Sequence, residues 1–259
     1  MASFRALHRD HIIRIALGAL ALSFLIARFN EFIVGSIGDD AVYVAMARSI
    51  AEGRGPVINL HPSLENQLPF AFPAGYPLLL SPLAFFYPAN LVPFKLFSIF
   101  MPLAAVPIYY AMGRSLLKPN QHTIAAIAIF ISPWIITYSN RALSEASFIF
   151  FSLASLFVYI RWIKQQSVLN STLILLCILL GLSASIRTVG LALIISVLCH
   201  LLLLREFRRL LIAILFWCLA FAPQIWANML SGGDLISAGY SMQVLAHSTD
   251  LGARTLHDK

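Results

Sequence analysis

About seven apolar runs, each near the length of a membrane-crossing helix, make up most of this chain and leave short connectors between them. A helix needs ~20 predominantly apolar residues to cross a hydrocarbon core ~30 Å thick. The first run covers 12–29, with Arg14 and Arg28 near its ends, where long side chains can reach the headgroups. The others cover 91–112, 124–138, 142–160, 169–186, 189–204 and 210–229. The first run has the basic leader of a signal peptide, but no small-x-small cleavage site follows it, so it reads as an anchor. Only 11% of the 259 residues are charged, against about 25% in soluble domains, which excludes a soluble globule. A 59% hydrophobic composition excludes a disordered chain as well. The expected fold class is therefore all-α, a polytopic membrane helix bundle.

Sidedness follows from lysine and arginine in the short connectors. With the N-terminus cytoplasmic, the inner segments hold Arg5, Arg9, Arg14, Arg114, Lys118, Arg161, Lys164, Arg205, Arg208 and Arg209. Of the eleven acids, only Asp10 and Glu206 then fall inside. A further span over 76–92 would invert everything downstream and carry the basic clusters outside, so that stretch is expected to lie in the interface instead. The net charge of +7 is thus a topology signal and not a nucleic-acid footprint. Cys177, Cys199 and Cys218 lie inside apolar runs and read as small buried hydrophobes, not disulfides or metal ligands.

The longest segment outside the membrane is then the first outer loop, 30–90, which is too long for a passive connector. Its first half holds Asp39-Asp40-Ala41-Val42-Tyr43, the start of a helix that Gly53 and Gly55 should stop. Val42, Met46 and Ile50 recur every four residues and give an apolar stripe that can lie on a membrane surface. Arg48 and Glu52 are spaced to pair. Asp39 and Asp40 sit in the first turn, where free amides and the helix dipole favour an ionised carboxylate able to accept a proton or a metal. The same pair also serves simply as an N-cap. The second half reads Pro73-Ala74-Gly75-Tyr76-Pro77-Leu78-Leu79-Leu80-Ser81-Pro82, a turn feeding a short interfacial helix, with aromatics at headgroup depth. His61 is the one histidine of this loop and reads as a surface residue.

Two further outer features stand near that plane. Arg141 and Glu145 are four residues apart where the 142–160 span begins, and Arg187 sits between two spans with barely a loop between them. Ionisable groups at the bilayer edge are costly and often functional. An Arg141–Glu145 ion pair and an Arg187 meeting lipid phosphate are the plainer alternatives.

Taken in order, these segments resemble the GT-C fold glycosyltransferases, in the branch of protein O-mannosyltransferases and the lipid A aminoarabinose transferase. Asp39-Asp40 followed by Tyr43 is similar to the acidic motif of that family's first extracytoplasmic loop. Pro73-Ala74-Gly75-Tyr76-Pro77 resembles its Pro-Gly-Tyr-Pro segment, Ser144-Glu145 its glutamate at the start of a span, and Arg187 its junction arginine. The resemblance covers about 12–230 and implies a GT-C-like transmembrane domain over 1–230. It implies transfer of a sugar from a polyprenyl-phosphate donor to a lipid, glycan or protein acceptor outside the cytoplasm, with inversion, at a bacterial inner (plasma) membrane. Asp39 becomes the general base and Asp40 its neighbour in the catalytic pair. Tyr43, Tyr76, Arg141, Glu145 and Arg187 become substrate-binding residues. Some relatives use a divalent cation at this position, although no ligand cluster here demands one.

Family members have more spans than this chain, and 231–259 reads as an incomplete outer segment. A catalytically inactive or accessory membrane subunit is therefore the alternative expectation. A transporter fits less well, because the charges gather at the outer edge and no internal repeat marks two matching halves.

Overall fold

The computed structural model describes residues 2–29, 39–58, 73–139, 141–163 and 171–230. Among them the regular structure is helical: α1 (Ala2–Phe29), α2 (Asp39–Ala51), α3 (Gly75–Phe86), α4 (Val92–Leu116), α5 (Pro119–Ile131), α6 (Pro133–Tyr138), α7 (Ser144–Ile163), α8 (Ser171–Ile186), a single 3-10 turn (Thr188–Gly190), α9 (Leu191–Leu203) and α10 (Phe207–Leu230). The all-α expectation holds for these residues. Two helices, α4 and α7, are long and apolar enough to cross a membrane. The helices α3, α8 and α9 are apolar but shorter. His61, the 59–72 part of the first loop, and the segment 231–259 lie outside the described residues.

The chain divides into two compact units, the first made of 1–40 with 90–179, the second of 41–89 with 180–259. In the first, α4 is the hub: α7 and α5 pack on it most closely, α1 leans on α4 and α5, and α6 joins α5 to α7. Small residues are among those buried on both α4 and α7. On α4 these are Ser98, Ala105 and Gly113, and on α7 they are Ser147, Ala154 and Ser155, all buried. Small side chains let backbones approach closely, which is how helices associate where lipid removes the hydrophobic drive between them. Gly113 shows the limit of this, because a Cβ there would stand 2.9 Å from the Cβ of His122. In the second unit α9 packs on α10 and on the 3-10 turn, and Gly181 lets α8 approach Ala220 of α10.

Prolines shape several of these helices. The run 124–138 does not form one span: it breaks at Ser132, extended at ψ 121°, because Pro133 excludes the helical conformation from the residue before it. In α3, Pro82 cannot donate to the carbonyl of Leu78, and the Ser81 hydroxyl donates to that oxygen at 2.9 Å instead. At 12 residues, about 18 Å, α3 is shorter than a ~30 Å hydrocarbon core.

The cysteine expectation needs correction. All three are free, but only Cys177 is buried, while Cys199 and Cys218 are exposed. Bulky apolar residues are exposed as well: Leu211, Leu215 and Leu219 of α10 form a stripe every four residues, 57–67% accessible. An apolar run therefore does not imply burial inside the protein. Water penalises such a surface and lipid does not.

Candidate functional site

The helix α2 begins at Asp39, so both acids lie in its first turn as expected. Its phase separates them. Asp39 is exposed, whereas Asp40 is wholly buried, sharing a face with Tyr43, Val44 and Ala47 at spacings of three, four and seven. This corrects the picture of a helix lying on a surface by a Val42–Met46–Ile50 stripe. Met46 is buried, but Val42 and Ile50 are only half-buried and flank the buried face. Four alanines give α2 a slim profile that neighbours can approach from several sides, and a count of bulky residues misses them.

The end of α2 follows the sequence closely. Gly53 turns to φ 78°, Arg54 N donates to Ser49 O and Gly53 N to Ile50 O, both at 3.0 Å. These are the two bonds of a Schellman cap. Past that reversal Glu52 pairs with Arg54 and not with Arg48. The pair is half exposed, so it contributes little. Arg48 stays on the helix, its Nε buried without a hydrogen-bond partner among the described residues, as is the Ser49 hydroxyl. Neither residue was nominated from the sequence beyond the Arg48–Glu52 spacing.

Within the second unit, α3 meets α2 through two rings. Tyr43 and Tyr76, both buried, pack edge to face with centroids 5.0 Å apart and planes at 90°. Such a pair adds about 1 kcal/mol beyond its buried area. One residue earlier, Gly75 sits on the end of α8 so closely that a Cβ would overlap the carbonyl group of Ser185. Two residues after Ser185 comes Arg187, half-buried and extended at φ −145°, ψ 133°. Its amide donates to Ser183 O at 3.1 Å, and its carbonyl accepts from Gly190 N at 2.8 Å. Gly190 lies against the backbone of Ala184, where any side chain would collide, so the 3-10 turn folds back on the helix that precedes it. Three segments far apart in sequence, around 43, 76 and 187, thus converge in one unit. The Gly75–Ser185 contact that ties them was not foreseen, and the small-residue run Ser183-Ala184-Ser185 was the signal for it.

Arg141 and Glu145 belong to the first unit. Both are half-buried, beside buried Ala142, Leu143 and Ser144. Their spacing of four does not put them on one helical face: α7 starts at Ser144, so Arg141 lies in the preceding turn, where Leu143 N donates to its carbonyl at 2.8 Å. A spacing of four has helical meaning only inside a helix. Among the described residues no three of His, Cys, Asp and Glu gather as metal ligands. A divalent ion at exposed Asp39 would draw its remaining ligands from water or a bound phosphate.

No family model matches the chain, and neither does any curated protein or solved structure.

Proposed function

We propose that this chain is a polytopic membrane glycosyltransferase, GT-C-like with about seven spans, moving a sugar from a polyprenyl-phosphate donor to an acceptor hydroxyl outside the cytoplasm. The observation that carries the reading is the junction of α2, α3 and the end of α8, where Tyr43 meets Tyr76 and Gly75 meets Ser185, two residues before Arg187. A tyrosine pair from two distant segments and an arginine from a third have reason to gather in one unit if they act on one substrate. Exposure divides the work between the acids: Asp39 is open to an acceptor, and buried Asp40 orients the helix end that presents it.

In this reaction the Asp39 carboxylate takes the acceptor hydroxyl proton as that oxygen attacks the anomeric carbon. The bond from the anomeric carbon to the carrier phosphate breaks, and its electron pair leaves on the phosphate oxygen. A guanidinium group holds the added negative charge better than water does, and the resemblance offers Arg187 and Arg141 as the candidates. Attack opposite the leaving group inverts the anomeric centre.

The test uses membranes containing the full chain and a panel of radiolabelled polyprenyl-phosphate hexoses. Asp39→Asn should lower sugar transfer about 10²–10⁴-fold while leaving the amount of protein in the membrane unchanged. Transfer that survives this change overturns the proposal and favours an accessory subunit.

A further inference from the structure

In the first unit, α1 and α4 enclose a pocket of about 460 Å³, within the range of small-molecule sites. Its deep end is apolar, lined by Leu17, Ala21 and Leu103, and its other end carries Arg114. No lining residue is acidic, and Lys118 lies exposed just beyond Arg114. Along α4, Leu103 and Arg114 are separated by a rise of about 16 Å, close to half of a ~30 Å hydrocarbon core. The pocket therefore has the depth of one leaflet and a cationic mouth.

A second feature is a fixed tyrosine in the wall. Tyr110, one turn deeper than Arg114, lines the pocket and is 7% accessible, and its hydroxyl has no hydrogen-bond partner among the described residues. A buried hydroxyl is costly unless something accepts its proton. His122 of α5 packs edge to face on the phenol at 5.0 Å and 78°, which holds the ring in place. A third feature is Gly18, also in the wall, where an added Cβ meets nothing within 4 Å. The space beside it is not filled by the described protein.

We propose that this groove binds an anionic glycerophospholipid of the cytoplasmic leaflet. Its phosphate meets Arg114, and one acyl chain runs past the Tyr110 ring along Leu17, Ala21 and Leu103. Basic residues favour anionic lipid on that side of the membrane. The inference rests on membrane insertion and the inward placement of Arg114, and not on sugar transfer.

Native mass spectrometry of the detergent-purified full chain, titrated with phosphatidylglycerol or phosphatidylcholine of equal chain length, tests it. Wild type should bind phosphatidylglycerol about tenfold more tightly, and Arg114→Gln should erase that preference. Gly18→Leu should displace both, and because leucine favours a helix over glycine and meets open space, the variant should elute and melt as a folded protein. Retained preference in Arg114→Gln, or retained binding in folded Gly18→Leu, overturns the proposal. So does displacement of phosphatidylglycerol by tenfold less undecaprenyl phosphate, which would assign the groove to the carrier. A wild-type dimer that Gly18→Leu converts to monomer without changing lipid binding would make the groove an interface between copies and overturn it too. Asp39→Asn should leave every one of these readings unchanged, so failure of the transferase reading is separable.

Discussion

An added methyl group meets opposite fates at Gly75 and Gly18. At Gly75 it would strike the carbonyl group of Ser185, which is backbone and cannot rotate aside, so α3 must move off the end of α8. Overpacking of this kind costs about 1–3 kcal/mol. Gly75→Ala should therefore lower the thermal midpoint in detergent and, by separating Tyr76 from Tyr43, reduce sugar transfer. Gly18→Ala meets nothing and replaces a poor helix former, so it should stabilise the chain by up to ~1 kcal/mol. A scan that ranks the two the other way would refute the packing described for α3. Sequence could nominate Gly75 only as part of Pro-Ala-Gly-Tyr-Pro, since the partner lies over a hundred residues away. The Asp39-Asp40 pair was legible for a similar reason only to the level of the pair. Which acid is buried depends on helix phase, and the alanines that set the buried face of α2 carry little weight in a hydrophobic stripe.

Helix ends, by contrast, are written locally, and α2 is the clearest case. Gly53 stands at φ 78° with open space around it, so replacing it tests backbone conformation and nothing else. Gly53→Ala should cost about 1–2 kcal/mol, the penalty of a left-handed L-residue, and Gly53→Asn less. Hydrogen exchange at the amides of 53 and 54, which close the Schellman bonds, should quicken in the alanine variant, with the Asp39 end of the helix unaffected. Equal exchange in both proteins would mean that the cap does not hold α2. Starts and stops of α4, α7, α8 and α10 lie within a few residues of the apolar runs for the same local reason. The 124–138 run fails because hydropathy does not register Pro133, whose steric demand on Ser132 splits the run into α5 and α6. Pro82 and Pro102 do not split α3 and α4. At Pro82 the Ser81 hydroxyl takes the place of the missing amide, so a proline's neighbours decide whether it breaks a helix.

Sidedness belongs to the whole molecule, and hydropathy has no bearing on it. Helices read the same in either direction across a bilayer, and only the charge left in the connectors breaks the symmetry. That charge is lopsided: Arg114, Lys118, Arg205, Arg208 and Arg209 group on one side of the expected topology, and Asp39, Asp40, Glu52 and Glu145 on the other. Both proposals depend on it, since the sugar site must face outward and Arg114 must meet the inner leaflet. Single-cysteine reporters read it directly once Cys177, Cys199 and Cys218 are replaced by alanine. Glu52 and Lys118 are both exposed at helix ends, so neither substitution disturbs packing. In intact cells a membrane-impermeant maleimide should label Glu52→Cys, and Lys118→Cys should react only after permeabilisation. The reverse pattern would place the acidic helix end on the cytoplasmic side. A carrier-linked sugar displayed outside would then be out of its reach, and the basic mouth of the α1–α4 pocket would face away from the leaflet that favours it.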